Sequence, residues 1–134
     1  MKRKTFVLLS ILITTVACGT AGIKRKVKGL DDAVSDYNVS LRWSMLDKIE
    51  GYHRGKNGEK KPLDRSTMAT VRITGYTILQ QAINEEVTEA VIKGEVDYYT
   101  TDTGTLKKHP FTHLWWYSDE DQRWYNGSDY LQLK

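Results

Sequence analysis

The chain has 134 residues with a formal net charge of +3, carried by Lys2, Arg3 and Lys4; from Gly29 onward 13 Lys and Arg face 17 Asp and Glu, a net of −4. The globular part therefore lacks the basic footprint of a nucleic-acid-binding domain, and its 106 positions suffice for one core but not two. With one cysteine, an internal disulfide is excluded, so stability rests on packing, for which four Trp, eight Tyr and two Phe supply large side chains.

In chain order, Lys2-Arg3-Lys4 is a basic head and Phe6 to Val16 an apolar run of about a dozen residues. That run is too short for a spanning helix, which needs about 20 residues. A basic head, a short apolar stretch and a small residue before a cut site describe a secretory signal peptide over residues 1–17. The cysteine at position 18 follows directly, an arrangement that resembles the lipobox of bacterial lipoproteins. The resemblance implies a diacylglyceryl thioether on Cys18, which becomes the new N-terminus and anchors the chain in a membrane. Gly19, where inner-membrane lipoproteins carry Asp, implies the periplasmic face of the outer membrane.

Residues 18–29 read as the lipidated N-terminus and a basic tether, with Lys24, Arg25, Lys26 and Lys28 able to lie against an anionic leaflet. Residues 30–134 read as one domain. Val34, Tyr37, Leu41, Met45, Ile49 and Tyr52 recur at spacings of three and four, which predicts a single helix over 30–52, with Asp31, Asp32 and Asp36 near its start. A polar loop rich in Gly and Lys follows to Pro62; it lacks the Gly-Lys-Ser/Thr ending of a phosphate loop.

The period then changes to two. Met68 to Leu79 predicts a strand with a bulge at Gly75. Val87 to Tyr99 alternates, with Thr88, Ala90, Ile92, Val96 and Tyr98 on one face and Glu89, Lys93, Glu95 and Asp97 on the other. Thr105 to Tyr117 predicts a long strand with Phe111, His113, Trp115 and Tyr117 on one side and Leu114 and Trp116 on the opposite one. Ser118 to Gln122 turns the chain into a return strand at Arg123-Trp124-Tyr125.

An amphipathic helix followed by a meander of long strands resembles the NTF2-like α+β cone fold, in which a curved antiparallel sheet wraps around helices and leaves a pocket. Tyr37-Asn38-x-Ser40-Leu41-Arg42-Trp43, Val96-Asp97-Tyr98-Tyr99, His113-x-Trp115-x-Tyr117 and Gln122-Arg123-Trp124-Tyr125 together resemble a group of small proteobacterial lipoproteins to which no activity is attached. The front of the chain shows one clear helix, where many members of that group have two or three. Ketosteroid isomerase and scytalone dehydratase share the cone, which implies an isomerase- or dehydratase-like enzyme as an alternative to a binding protein. The candidates for such chemistry are His113 with Tyr98, with Asp97 on the opposite face, though no catalytic motif of either enzyme can be placed residue by residue.

His109 and His113 have the spacing of a helical zinc pair, but Pro110 and the alternation make the segment extended. Residues four apart on a strand lie about 13 Å apart, too far to share one metal readily. No nucleophile motif is present, and no cofactor is expected. The remaining signal is aromatic density. Tyr37, Trp43, Tyr98, His113, Trp115 and Trp124 are the candidate pocket or interface residues. Three readings stay open for them: plain core packing, a sheet face that meets a homodimer mate or envelope protein, and a pocket for a small apolar ligand. The expected role is a lipid-anchored binding or envelope-support protein.

Overall fold

The computed structural model describes residues 18–134. The expected signal peptide over 1–17 lies outside the described residues, and so does the side chain of Cys18 that the expected lipid would modify. Three helices, α1 (Cys18–Arg42), α2 (Leu46–Tyr52) and α3 (Arg65–Thr70), precede four strands: β1 (Val71–Ile83), β2 (Glu89–Thr100), β3 (Lys107–Ser118) and β4 (Arg123–Asn126). The strands form one antiparallel sheet in the order β1-β2-β3-β4. The helices pack on its inner face, the α+β architecture expected from the sequence. Among the described residues no helix is long and apolar enough to cross a membrane.

The segment 18–29 is not a loose tether, because it forms the first turns of a 25-residue helix. Contacts from the far end of the chain explain this. Trp124 Nε1 donates to the Lys26 carbonyl at 2.8 Å. The Lys26 ammonium lies 4.5 Å above the Tyr117 ring and 3.4 Å from Asp119. At Gly29 the helix lies against Trp124, whose indole stands 3.7 Å from where a Cβ would be, an ordinary packing distance.

The single helix expected over 30–52 is broken at Trp43–Met45. Ser44 adopts a positive φ of 53°, and the Met45 amide reaches back to the Ser40 carbonyl at 2.9 Å. The redirected α2 buries Ile49 and returns to α1, where Lys48 and Tyr52 both bond Asp36, at 3.0 and 2.8 Å. Met45 and Trp43, which the periodicity placed on or beside the core face, are 44% and 74% exposed.

The strand expected from Met68 begins three residues later. Asp64 caps α3 by accepting the Ser66 and Thr67 amides, so Met68 belongs to that short helix. Hydrogen bonding by those two residues holds the Asp64 carboxyl down to about 2. The front of the domain thus carries three helices where one was expected.

The sheet follows the predicted alternation closely. Ala90, Ile92, Val96 and Tyr98 of β2, and Phe111, His113 and Trp115 of β3, are buried. Glu95 and Asp97 face outward and share Lys108, each at 3.3 Å. The β1–β2 register shifts between Ile73 and Gly75, as expected, and again between Ile78 and Gln80; such bulges bend an edge strand. The tail closes the open end of the core: Leu133 is 3% exposed and Tyr130 donates to the Lys61 carbonyl at 2.6 Å.

Candidate functional site

Period-two placement puts Phe111, His113 and Trp115 in one file on the inner face of β3, beneath α1. The Phe111 ring stacks on His113 at 4.5 Å and on Tyr76 of β1 at 4.8 Å. It reaches Tyr76 across Gly94 of β2, where a Cβ would meet both the ring and the Thr77 carbonyl. From α1, Tyr37 presents its ring edgewise to His113 and Trp115, at 5.9 and 5.6 Å. His53, at the C-terminal end of α2, completes the row and stacks on Tyr130 at 3.9 Å.

The two imidazoles have different surroundings. His53 Nδ1 lies 2.9 Å from the Ser128 carbonyl, which can only accept, so Nδ1 carries the proton. Nε2 is then the acceptor, and the Tyr37 hydroxyl donates to it at 2.7 Å. Burial pushes His53 down to about 4 against the opposing pull of the Ser128 carbonyl. Both ring nitrogens of His113 are buried without a hydrogen-bond partner. Burial, with a smaller contribution from His53, pushes it down to about 3. Each is therefore a neutral imidazole at pH 7. Burial also drives Tyr37 well above its ordinary range, so a tyrosinate does not form there.

His113 is not alone in lacking a partner. The Tyr76 hydroxyl, Asn38 Oδ1, Trp115 Nε1 and Asn126 Nδ2 are also buried and unpaired. Native interiors satisfy nearly all such groups, so a concentration of them on one face calls for an explanation. Asn38 and Tyr76 stand in the walls of one groove between α1 and β1, of about 340 Å³, which Val34, Ser35, Ile78, Gln81 and Asp31 complete. At its mouth Gln81 Nε2 reaches Asp31 at 3.3 Å. Three larger grooves, of about 430, 620 and 520 Å³, lie beside Arg123, beside His53 and beside Met45. Their walls carry charges already engaged within the chain, such as Asp36 with Lys48 and Asp47 with Arg65.

Of the residues singled out in the sequence, Tyr37, His113 and Trp115 come together in this row. Tyr98 does not join them. His113 faces Ile92 on β2, and Tyr98 lies six positions further along the strand, about 20 Å away, where its hydroxyl donates to the Lys134 carbonyl at 2.9 Å. Trp124 supports the start of α1, and Trp43 is on the surface. His53, Tyr76 and Asn38 are the site residues that sequence reasoning missed. Tyr76 and Asn38 lay within recognised elements, but their partnerless state appears only once α1 and β1 are packed. His53 carried no signal in a polar loop. The row thus holds hydroxyl, amide and imidazole groups with unused hydrogen-bonding capacity, all of it buried beneath the surface. Among the described residues no carboxylate hydrogen-bonds either imidazole, and Asp97 pairs with Lys108 on the outer face.

No protein-family model matches the chain, and no curated protein matches it in sequence. Among solved structures it is similar to a Mycobacterium tuberculosis LEH-like epoxide hydrolase (9% identity over 79% of each chain, TM-score 0.45). It is also similar to two candidate polyketide cyclases. The one from Xanthomonas campestris shows 14% identity over 81% of this chain and 93% of that one, TM-score 0.43. The one from Pseudomonas putida shows 12% identity over 72% and 89%, TM-score 0.40.

Proposed function

We propose that this chain is a lipid-anchored protein of the bacterial envelope whose NTF2-like domain binds a small, mostly apolar molecule between α1 and β1. The observation that carries the binding reading is one groove whose walls include Asn38 and Tyr76, each with a buried, unpartnered polar atom beneath its surface. A ligand whose apolar body lies on Val34 and Ile78 and whose polar end meets these two groups removes the cost of leaving them unpaired. Binding is favoured over turnover because burial leaves both imidazoles weak bases, no carboxylate hydrogen-bonds either of them, and Tyr98 is remote from His113.

Support for the anchor comes from the basic head, the apolar run and Cys18 followed by Gly19, which point to the periplasmic face of the outer membrane. The twelve helical steps from Cys18 to the buried Leu30 span about 18 Å. Exposed Lys24, Arg25 and Lys28 on this stalk suit an anionic surface, at about 1 kcal/mol each before screening.

The binding claim is tested on the chain from Gly19 with the apolar fluorophore 1-anilinonaphthalene-8-sulfonate. Saturable binding is expected, lowered about tenfold by Tyr76→Phe combined with Asn38→Leu and unaffected by Leu114→Asp on the outer face. No saturable binding, or binding indifferent to the groove variant, counts against it. The anchor claim is separate: Cys18→Ser should leave an unprocessed precursor, and a normally processed, membrane-retained variant would sink it.

A further inference from the structure

Past Gly127 the chain joins no helix or strand. Among the described residues no backbone–backbone hydrogen bond reaches residues 129–134, and side chains hold them instead. At one end the Lys61 ammonium lies 2.9 Å from Asp129, and the Tyr130 hydroxyl donates to the Lys61 carbonyl at 2.6 Å. At the other, the Tyr98 hydroxyl and the Lys107 ammonium both donate to the Lys134 main-chain oxygen, at 2.9 and 2.8 Å. Leu133 is buried between these two clasps. With Leu63 and Met68 it lines a groove of about 240 Å³ that the tail shares with α3. A segment without backbone bonds belongs to the least stable part of a fold and can open while the sheet stays intact.

The seat that the tail fills has two parts. One is apolar: Pro62, Leu63 and Met68 line the groove opposite the tail, and Leu63 and Met68 are buried with Leu133 in place. The other is a pair of donors aimed at one oxygen. Tyr98 is buried. Lys107, among the described residues, forms no ion pair, whereas Lys108 beside it is shared by Glu95 and Asp97. An ammonium and a hydroxyl that converge on one acceptor favour an ionised carboxylate, whose charge strengthens both bonds. Asp64 lines the groove as well, but its oxygens accept from Ser66 and Thr67 of α3.

We infer that residues 129–134 are a strap lying in the binding seat of a small aliphatic carboxylic acid. The acid's chain takes the place of Leu133 beside Leu63 and Met68, and its carboxylate takes the place of the Lys134 oxygen on Tyr98 and Lys107. An aliphatic acid is favoured over a peptide because the seat gives the tail no main-chain bonds, so the amides of a bound peptide find no partners there. Acid and strap exclude one another, and binding therefore releases the tail. Release also uncovers His53, on whose ring Tyr130 stacks at 3.9 Å. This seat shares no residue with the groove between α1 and β1, and it does not depend on the ligand reading.

The test is made on the full lipidated chain in lipid nanodiscs, with a nitroxide attached through Gln132→Cys, an exposed position in the strap. Decanoate is expected to mobilise this label saturably, as read by electron paramagnetic resonance. A label attached through Leu114→Cys, on the outer face of the sheet, should keep its mobility. Lys107→Met should raise the half-saturating decanoate concentration about tenfold, the loss of a charge-assisted bond. Methyl decanoate, which has the chain without the charge, should leave the label at 132 unchanged. A label at 132 that decanoate does not move overturns the proposal. So does an equal response to methyl decanoate or in Lys107→Met, and so does mobilisation at 114 alongside 132, which is general loosening of the fold.

Discussion

The Tyr37 hydroxyl donates to His53 Nε2 at 2.7 Å, and His53 Nδ1 donates in turn to the Ser128 carbonyl at 2.9 Å. Two bonds thus join the middle of α1, the end of α2 and the C-terminal tail through one imidazole. Tyr37→Phe keeps the ring packing on Trp115 and His113 but leaves Nε2 buried and unpaired. The expected cost is about 1–3 kcal/mol in urea unfolding, with the folded spectrum unchanged. A cost near zero would show that water reaches the imidazole.

Acid should weaken the fold well before the carboxylates titrate. Burial holds His53 down to about 4 and His113 down to about 3, against an ordinary 6.5. Below pH 6.5 the unfolded chain takes up protons that the folded chain refuses. Stability is therefore full above that pH and falls as pH drops toward 4, by up to roughly 1.4 kcal/mol per pH unit for each histidine. Asp36 and Asp64, held below their ordinary 3.8, add their loss only under that value. Urea midpoints between pH 7 and 4.5 measure the slope, and His113→Phe should remove about half of it.

Gly94 is where β1, β2 and the Phe111 ring meet most closely. A methyl group there would strike the Thr77 carbonyl and the ring together. Gly94→Ala is expected to cost roughly 2–3 kcal/mol and to loosen Phe111 from Tyr76. Thermal unfolding and the near-ultraviolet circular dichroism of the stacked rings report both effects.

The stalk depends on Trp124. Trp124→Phe removes the bond to the Lys26 carbonyl and part of the surface on which Gly29 rests, an expected cost of about 1–2 kcal/mol. Hydrogen exchange should quicken in residues 19–30 while the sheet amides stay protected. Equal loss of protection throughout would mean that the stalk and sheet unfold as one.

The sheet was legible because its signal is local. Ala90, Ile92, Val96 and Tyr98 alternate against charged neighbours, and Gly75 marks its own bulge. The helices were less so, for reasons seen in particular residues. Glycines and lysines before Leu30 resemble a linker in isolation, and their helical state is supported by Trp124, 98 positions away from Lys26. The period linking Leu41 to Met45 runs on through a break made by Ser44, because nothing local announces that Asp36 will draw Lys48 and Tyr52 back. Half of the site was visible as inward aromatics, Tyr37, His113 and Trp115. The rest was not, since a missing hydrogen-bond partner belongs to the packed structure and not to a sequence pattern. The expected pairing of His113 with Tyr98 failed on distance along the strand, which shared alternation does not encode.

Native mass spectrometry of the full lipidated chain, released gently from the cell envelope fraction, tests the ligand reading most directly. The expected result is a co-purified small molecule that survives desolvation and is lost in the Tyr76→Phe, Asn38→Leu variant. A chain that carries no added mass, and takes up none from a lipid-soluble envelope extract, would contradict it.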